Sequence, residues 1–157
     1  ELMIAKISKK KLPLTPEEYG KYYKICDSLP FAFTDIEMVF NEEKKAVDWI
    51  FRYGNEALAT LEKLPLDKMI GNSFSSLFSN MDAKWLHVYE RATLYGETLE
   101  IMDYSPEIDT NLKIICFPTF PGHCGCILFN ADKMKSISEE NHLVRLVEVS
   151  MKSNSSK

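Results

Sequence analysis

The sequence predicts an α+β fold, and the order of its segments is the main evidence for it. Two alternating apolar segments joined by a polar turn come first, then a block of helix caps and glycine turns, then three more alternating segments. Strands followed by grouped helices and more strands predict a five-stranded antiparallel sheet with helices on one face, plus flanking N- and C-terminal helices.

The N-terminal helix is predicted to begin after Thr15. Threonine is a good capping residue, Pro16 suits the first helical position, and Glu18 stands where a capping box places its glutamate. The helix is expected to run to about Ser28 and to stop before Pro30.

A hairpin is predicted next. The first strand runs from Phe33 to Asn41 and is joined through an acidic and basic turn to a second strand. Strict alternation places four apolar side chains of the second strand on one face of the sheet: Val47, Trp49, Phe51 and Tyr53.

The middle block is predicted to be helical. Asn55 caps a short helix, the chain reverses at Gly71, and a longer helix from about Asp82 to Tyr95 ends at Gly96.

Three strands and a last helix complete the prediction. The strands are Glu97 to Ser105, Leu112 to Phe120 and His123 to Ala131. The helix begins near Ser136 and carries a short apolar seam, which favours either the start of a coiled coil or a simple amphipathic helix: Ile137, Val144, Val147 and Met151.

The stretch from Val47 to Phe78 resembles the front half of a PAS sensor domain. The matching points are a strand ending in Tyr53 and Asn55, a short helix, and Gly71 followed by the aromatic Phe74. The resemblance covers about residues 31–133, with a flanking helical segment at 1–30 and a connecting helix and linker at 134–157. It implies a sensory role.

Composition narrows the class of partner. The chain has 157 residues, and its formal net charge of −4 argues against a broad nucleic-acid surface. Its apolar runs are all shorter than the roughly 18 residues of a membrane span, so we expect no membrane contact by this segment. Cysteines are few and unevenly spaced, which favours reduced thiols and a cytoplasmic location.

The Cys-x-Cys sequence at Cys124 and Cys126 is a candidate metal site, with His123 beside it and Cys116 on the neighbouring strand. On a strand both thiols of the pair point to one face and His123 points to the other. Small buried thiols therefore fit this pattern better than a zinc site, and no metal is predicted.

Two PAS cofactors are weighed from the resemblance. Some haem-binding members ligate iron through a histidine on the long helix, but helical spacing groups His87 with polar residues, which argues against haem. Light sensors of the family carry a reactive cysteine just after the glycine turn, where this chain has Ser73 and Ser75, so covalent flavin chemistry is excluded. The cofactor stays unknown.

No catalytic residues are predicted, because the sequence contains no nucleophile elbow, phosphate-binding loop or zinc-protease motif. A thiol hydrolase using Cys116 or Cys124 with His123 is a distant alternative, and the chain is not expected to be an enzyme.

A ligand pocket is predicted between sheet and helices, where apolar cavities bind small molecules. By strand parity and helix position its lining is Met38, Phe51, Tyr53, Phe74, Trp85, Tyr89, Ile101 and Cys116. The alternative role of these side chains is plain core packing.

Signal relay is predicted at Asp132, which keeps the aspartate of the family's Asp-x-Thr motif while Met134 replaces its threonine. The resemblance implies a bacterial signalling protein that dimerises through its flanking helices and drives a kinase or diguanylate cyclase output, diguanylate cyclase being favoured. A structural PAS interaction module without ligand is the alternative.

Overall fold

The computed structural model describes residues 11–79, 82–133 and 145–152. Its elements in chain order are α1 (Pro16–Tyr22), a 3-10 helix (Lys24–Ser28), β1 (Ala32–Phe40), β2 (Ala46–Gly54), α2 (Glu56–Glu62), α3 (Leu66–Met69), α4 (Phe74–Leu77), α5 (Ala83–Tyr95), β3 (Leu99–Ser105), β4 (Thr110–Pro118) and β5 (His123–Asn130). Residues 131–133 and 145–152 are also helical. Within the described ranges, no helix is both long and apolar enough to cross a bilayer.

The five strands form one antiparallel sheet in the order β2-β1-β5-β4-β3. Helices α2 to α5 lie on its inner face and α1 lies against its outer face. The predicted α+β class is confirmed, and the fold is PAS-like: two strands, a helical block and three strands.

The predicted helix caps form as the sequence indicates. Thr15 Oγ1 accepts a hydrogen bond from the Glu18 amide at 3.2 Å, and Glu18 Oε1 accepts from the Thr15 amide at 3.0 Å. Asn55 Oδ1 accepts from the Leu58 amide, and Gly96 ends α5 with a φ of 66°. The first helix is shorter than predicted, because its α-helical part ends at Tyr22 and a 3-10 helix follows.

Two bulges in β2 overturn its predicted alternation. Ile36 pairs with Phe51 and Asp35 pairs with Tyr53, so Arg52 is an extra residue in the ladder. The second irregularity leaves Val47 without a partner, and that side chain is 44% exposed. Each bulge reverses the face to which the following side chains point.

The inner face of the sheet and helices α2 to α5 enclose the main core. It contains apolar side chains from every strand of the sheet, with those of β3 only partly buried. A second, smaller cluster lies on the outer face beneath α1, and its buried members are Leu14, Tyr19, Tyr23, Phe33, Tyr53 and Phe120. The sheet is thus covered on both faces.

The predicted C-terminal seam is only partly within the described residues. Ile137 and Val144 lie outside them. Val147 and Met151 belong to the helical residues 145–152 and are 58% and 67% exposed. If the predicted seam forms, these exposed side chains pack against another surface.

Candidate functional site

Seven of the eight predicted ligand-binding residues meet on the inner face, but as a packed core. Six are buried in the main cluster: Met38, Phe51, Phe74, Trp85, Tyr89 and Cys116. Ile101 packs against them from β3. The rings pack closely, with Trp49 lying 4.2 Å from Phe74 and 5.1 Å from Tyr89 between ring centroids.

Tyr53 does not join this group, because the bulge at Arg52 turns it to the outer face. Its hydroxyl donates to a carboxylate oxygen of Asp27 and lies 3.2 Å from the backbone oxygen of Tyr23. Burial, followed by the hydrogen bond to Asp27, raises the pKa of Tyr53 above its ordinary value. The residue therefore attaches the 3-10 helix to the sheet, and it does not point inward as strand parity predicted.

A cleft of about 540 Å³ opens at the end of the sheet where β1 begins and β5 ends. Helix α2 forms one wall, and the first residue of β4 and the turn after β5 complete it. The lining residues are Pro30, Phe31, Ala32, Ala57, Thr60, Leu61, Lys63, Thr110, Leu128, Phe129, Asn130 and Lys133. None of the eight predicted ligand-binding residues is among them. The volume lies within the range of small-molecule sites.

Asn130 connects this cleft to the segment that leaves the sheet. Its side-chain oxygen accepts hydrogen bonds from the backbone amides of Asp132, at 3.0 Å, and Lys133, at 3.2 Å. It therefore caps the helical turn 131–133, in the way that helix N-caps satisfy unpaired amides. Asp132 is exposed, and its side chain makes no hydrogen bond with another described residue.

A group of polar atoms lies buried near the C-terminal end of α2 and the turn between β3 and β4. Glu62 Oε2 and Glu107 Oε2 have no hydrogen-bond partner among the described residues, and neither has Ser105 Oγ. Burial, reinforced by the nearby charge of Glu107, raises the pKa of Glu62 to about 8. Glu62 is therefore mostly neutral at pH 7.

The cysteines of β4 and β5 lie on the inner face. Cys116, Cys124 and Cys126 are buried free thiols, and burial raises the pKa of Cys116 to about 12. His123 points to the outer face, as parity predicted, so it cannot form a catalytic pair with Cys124 or Cys116. No group of three or more metal-ligating side chains occurs in the part of the chain that the structure describes.

His87 is exposed on α5, while Trp85, Tyr89 and Ala92 are buried. The predicted orientation of this helix is confirmed at these positions. His87 points away from the core, where a buried haem would have to lie.

A buried polar triad beneath α1 was not predicted from the sequence. His123 Nδ1 lies 2.9 Å from Asp35 Oδ1, and the Tyr23 hydroxyl donates to Asp35 Oδ2. Asp35 is fully buried and His123 is 1% exposed. Burial and the Asp35 charge raise the pKa of Tyr23 well above its ordinary value. The signal that could have revealed the triad is an acid in a strand that follows a tyrosine-rich helix.

Comparison with known proteins adds little to this geometry. No protein-family model matches the chain. No curated protein matches it either. Among solved structures, the chain is similar to one described as an RNA-binding light-oxygen-voltage receptor, with 15% identity and a TM-score of 0.43. That match covers 89% of this chain and 40% of the receptor chain, so this chain spans less than half of the receptor's length.

Proposed function

We propose that the chain is a sensory and dimerisation module that detects a small molecule and passes the signal through its C-terminal helix to an output domain. The output is a kinase or a diguanylate cyclase. The observation that carries the proposal is the position of Asn130, which lines the cleft and also caps the turn that leaves the sheet. A ligand that moves Asn130 would alter the start of the exit segment.

The mechanism is a shift between two arrangements of the exit turn. A ligand that contacts Asn130 better in one arrangement favours that arrangement by the difference in its affinities. Two backbone hydrogen bonds depend on this one side chain. Losing such a cap costs about 1 kcal/mol, which is enough to change a balanced equilibrium several-fold.

A melting experiment tests ligand binding in the cleft. A library of small metabolites is screened for compounds that raise the melting temperature of the chain, as ligands of the native state do. Ala57→Trp places a large ring in the cleft, and we expect it to abolish the response. Ala83→Trp is the matched control, because Ala83 is exposed on α5 and does not line the cleft.

The relay is tested in the full-length parent by comparing Asn130→Ala with Asp132→Ala. We expect Asn130→Ala to change the output, because the amides of Asp132 and Lys133 lose their acceptor. An unchanged output in Asn130→Ala would contradict the relay through the exit turn. A change in Asp132→Ala alone would favour the aspartate of the family motif.

The second candidate is a structural PAS module that only mediates self-association. It is favoured by the inner core, in which the predicted pocket residues pack against one another. If no compound stabilises the wild-type chain and the Ala57→Trp parent keeps its output, this candidate replaces the first.

A further inference from the structure

The cleft has an apolar body. Pro30, Ala32, Leu61 and Leu128 line it, and the rings of Phe31 and Phe129 lie 5.3 Å apart at an angle of 43°. Such a surface binds hydrocarbon or aromatic groups through burial and dispersion.

The side-chain donors of the cleft that are free to bind a ligand are nitrogen groups. The hydroxyl of Thr60 already donates to the Glu56 carbonyl, and that of Thr110 donates to the Ile108 carbonyl at 2.9 Å. The oxygen of Asn130 is engaged in its cap, which leaves its NH₂ group. The ammonium groups of Lys63 and Lys133 are the remaining side-chain donors among the lining residues.

The charge of the cleft is positive although the whole chain is negative. None of the lining residues is acidic, whereas the chain as a whole has a net charge of −4. Glu62, the neighbour of Lys63 in sequence, is buried and mostly neutral at pH 7. The lining residues therefore include two lysines and an amide donor but no carboxylate.

Lys63 also stands at an unusual backbone position. It ends α2 with a φ of 59°, in the left-handed region where helix ends usually have glycine or asparagine. Backbone strain of this kind is often kept where a side chain serves a ligand site.

We propose that the cleft binds an amphipathic anion, with its anionic head at Lys63 and Lys133 and its apolar body against Phe31, Leu61 and Leu128. This inference rests on the proposed function, because it names the class of molecule that the module detects. Neutral ligands should therefore bind less tightly than anionic ones, and cationic ligands least tightly.

Calorimetric titration of the 157-residue chain with three probes of equal chain length tests the proposal: octanoate, 1-octanol and octylamine. We expect octanoate to bind about tenfold more tightly than 1-octanol, since two partly solvated ion pairs are together worth about 1–2 kcal/mol. Octylamine should bind more weakly than either. The preference for octanoate should fall with added salt.

The lysine double variant Lys63→Gln with Lys133→Gln should bind octanoate and 1-octanol equally. Lys68→Gln, an exposed lysine of α3 outside the cleft, should keep the preference. Equal binding of octanoate and 1-octanol by the wild type, no octanoate binding, or a preference that survives in the double variant would overturn the proposal. A metabolite response that Ala57→Trp abolishes would still support sensing, so failure of the anion class is distinguishable from failure of the proposed function.

Discussion

Some buried side chains in this protein form hydrogen bonds that the pattern of apolar residues does not predict. Asp35 is a fully buried acid that needs donors, and it receives them from Tyr23 on the flanking 3-10 junction and from the ring of His123. A buried carboxylate that loses one donor keeps its desolvation penalty. Packing of the N-terminal segment against the sheet therefore depends on the Tyr23 hydroxyl, the Asp35 carboxylate and the His123 ring.

Tyr23→Phe should lower the free energy of unfolding by about 1–3 kcal/mol, because Asp35 then loses the Tyr23 hydroxyl as donor. Urea unfolding followed by circular dichroism measures the change. Tyr22→Phe is the matched control, since the hydroxyl of Tyr22 bonds to no other described residue, and we expect a change below about 0.5 kcal/mol there. Equal effects of the two substitutions would show that the hydrogen bond from the Tyr23 hydroxyl to Asp35 does not stabilise the fold.

Glu62 should make stability depend on pH. Between its ordinary pKa of 4.5 and about 8, the unfolded chain has lost the proton that the folded chain keeps. The free energy of unfolding therefore falls as pH rises through this window, by at most about 1.4 kcal/mol per pH unit from this one group. Glu62→Gln should remove that slope, as measured by urea unfolding from pH 5 to pH 8.

Glu43→Gln provides the control for Glu62, because Glu43 is exposed in the β1–β2 turn. Its pH profile should follow the wild type. A wild-type slope that persists in Glu62→Gln would mean that another group carries it.

Residues were predictable where local geometry decides their role. Thr15, Asn55 and Gly96 act through neighbours in sequence, and each serves as predicted. Tyr53 lies on the face opposite to the predicted one, and the cap at Asn130 was not predicted. Cleft residues such as Phe31 and Lys133 come together only through strand pairing, which spacing alone does not reveal.

At the level of elements, β2 and α2 are fitted closely at Gly54. A methyl group added there would clash with Leu58 Cδ2, and Leu58 is fully buried in the core. Glycine at this position lets Leu58 of helix α2 pack directly against the end of β2.

Gly54→Ala should destabilise the fold by about 1–3 kcal/mol through overpacking. Gly20→Ala is the contrasting control: nothing lies within 4 Å of the added methyl group, and alanine in the helix α1 should stabilise by about 0.5–1 kcal/mol. Thermal unfolding of both variants measures the difference. If both substitutions changed the stability in the same direction, the close contact at Gly54 would be contradicted.

The bulges explain which elements could be predicted only in part. Existence and order of the strands follow from alternation and turn residues, and these were correct. The faces of β2 depend on extra residues at Arg52 and Val47, which simple alternation cannot represent. Bulges form where tertiary pairing outweighs the local pattern.

At the scale of the molecule, the fold was predictable and the site was not. Segment order and capping residues specify an antiparallel sheet with helices. Whether a cavity remains between sheet and helices depends on how the large side chains pack against one another. Here the rings of Trp49 and Phe74 lie 4.2 Å apart between centroids. The cavity lies instead at the open end of the sheet.

Dimerisation through the flanking helices stays a prediction, and residues 145–152 offer a test. Leu146, Val147, Val149 and Met151 are exposed on this short helical stretch. We expect the wild type to self-associate in sedimentation velocity, and Val147→Glu with Met151→Glu to be monomeric. Ser150→Glu, an exposed polar position nearby, should leave association unchanged. A monomeric wild type, or a double variant that still associates, would contradict the helix seam.

The double covering of the sheet has a practical consequence for any recombinant fragment. A piece that starts at residue 31, where the PAS resemblance begins, would lack Tyr19 and Tyr23 and would leave Phe33, Asp35 and His123 uncovered. Such a fragment should precipitate or bind hydrophobic dyes, because it exposes an apolar face around a charge. For crystallisation or NMR, the piece to produce begins before Leu14.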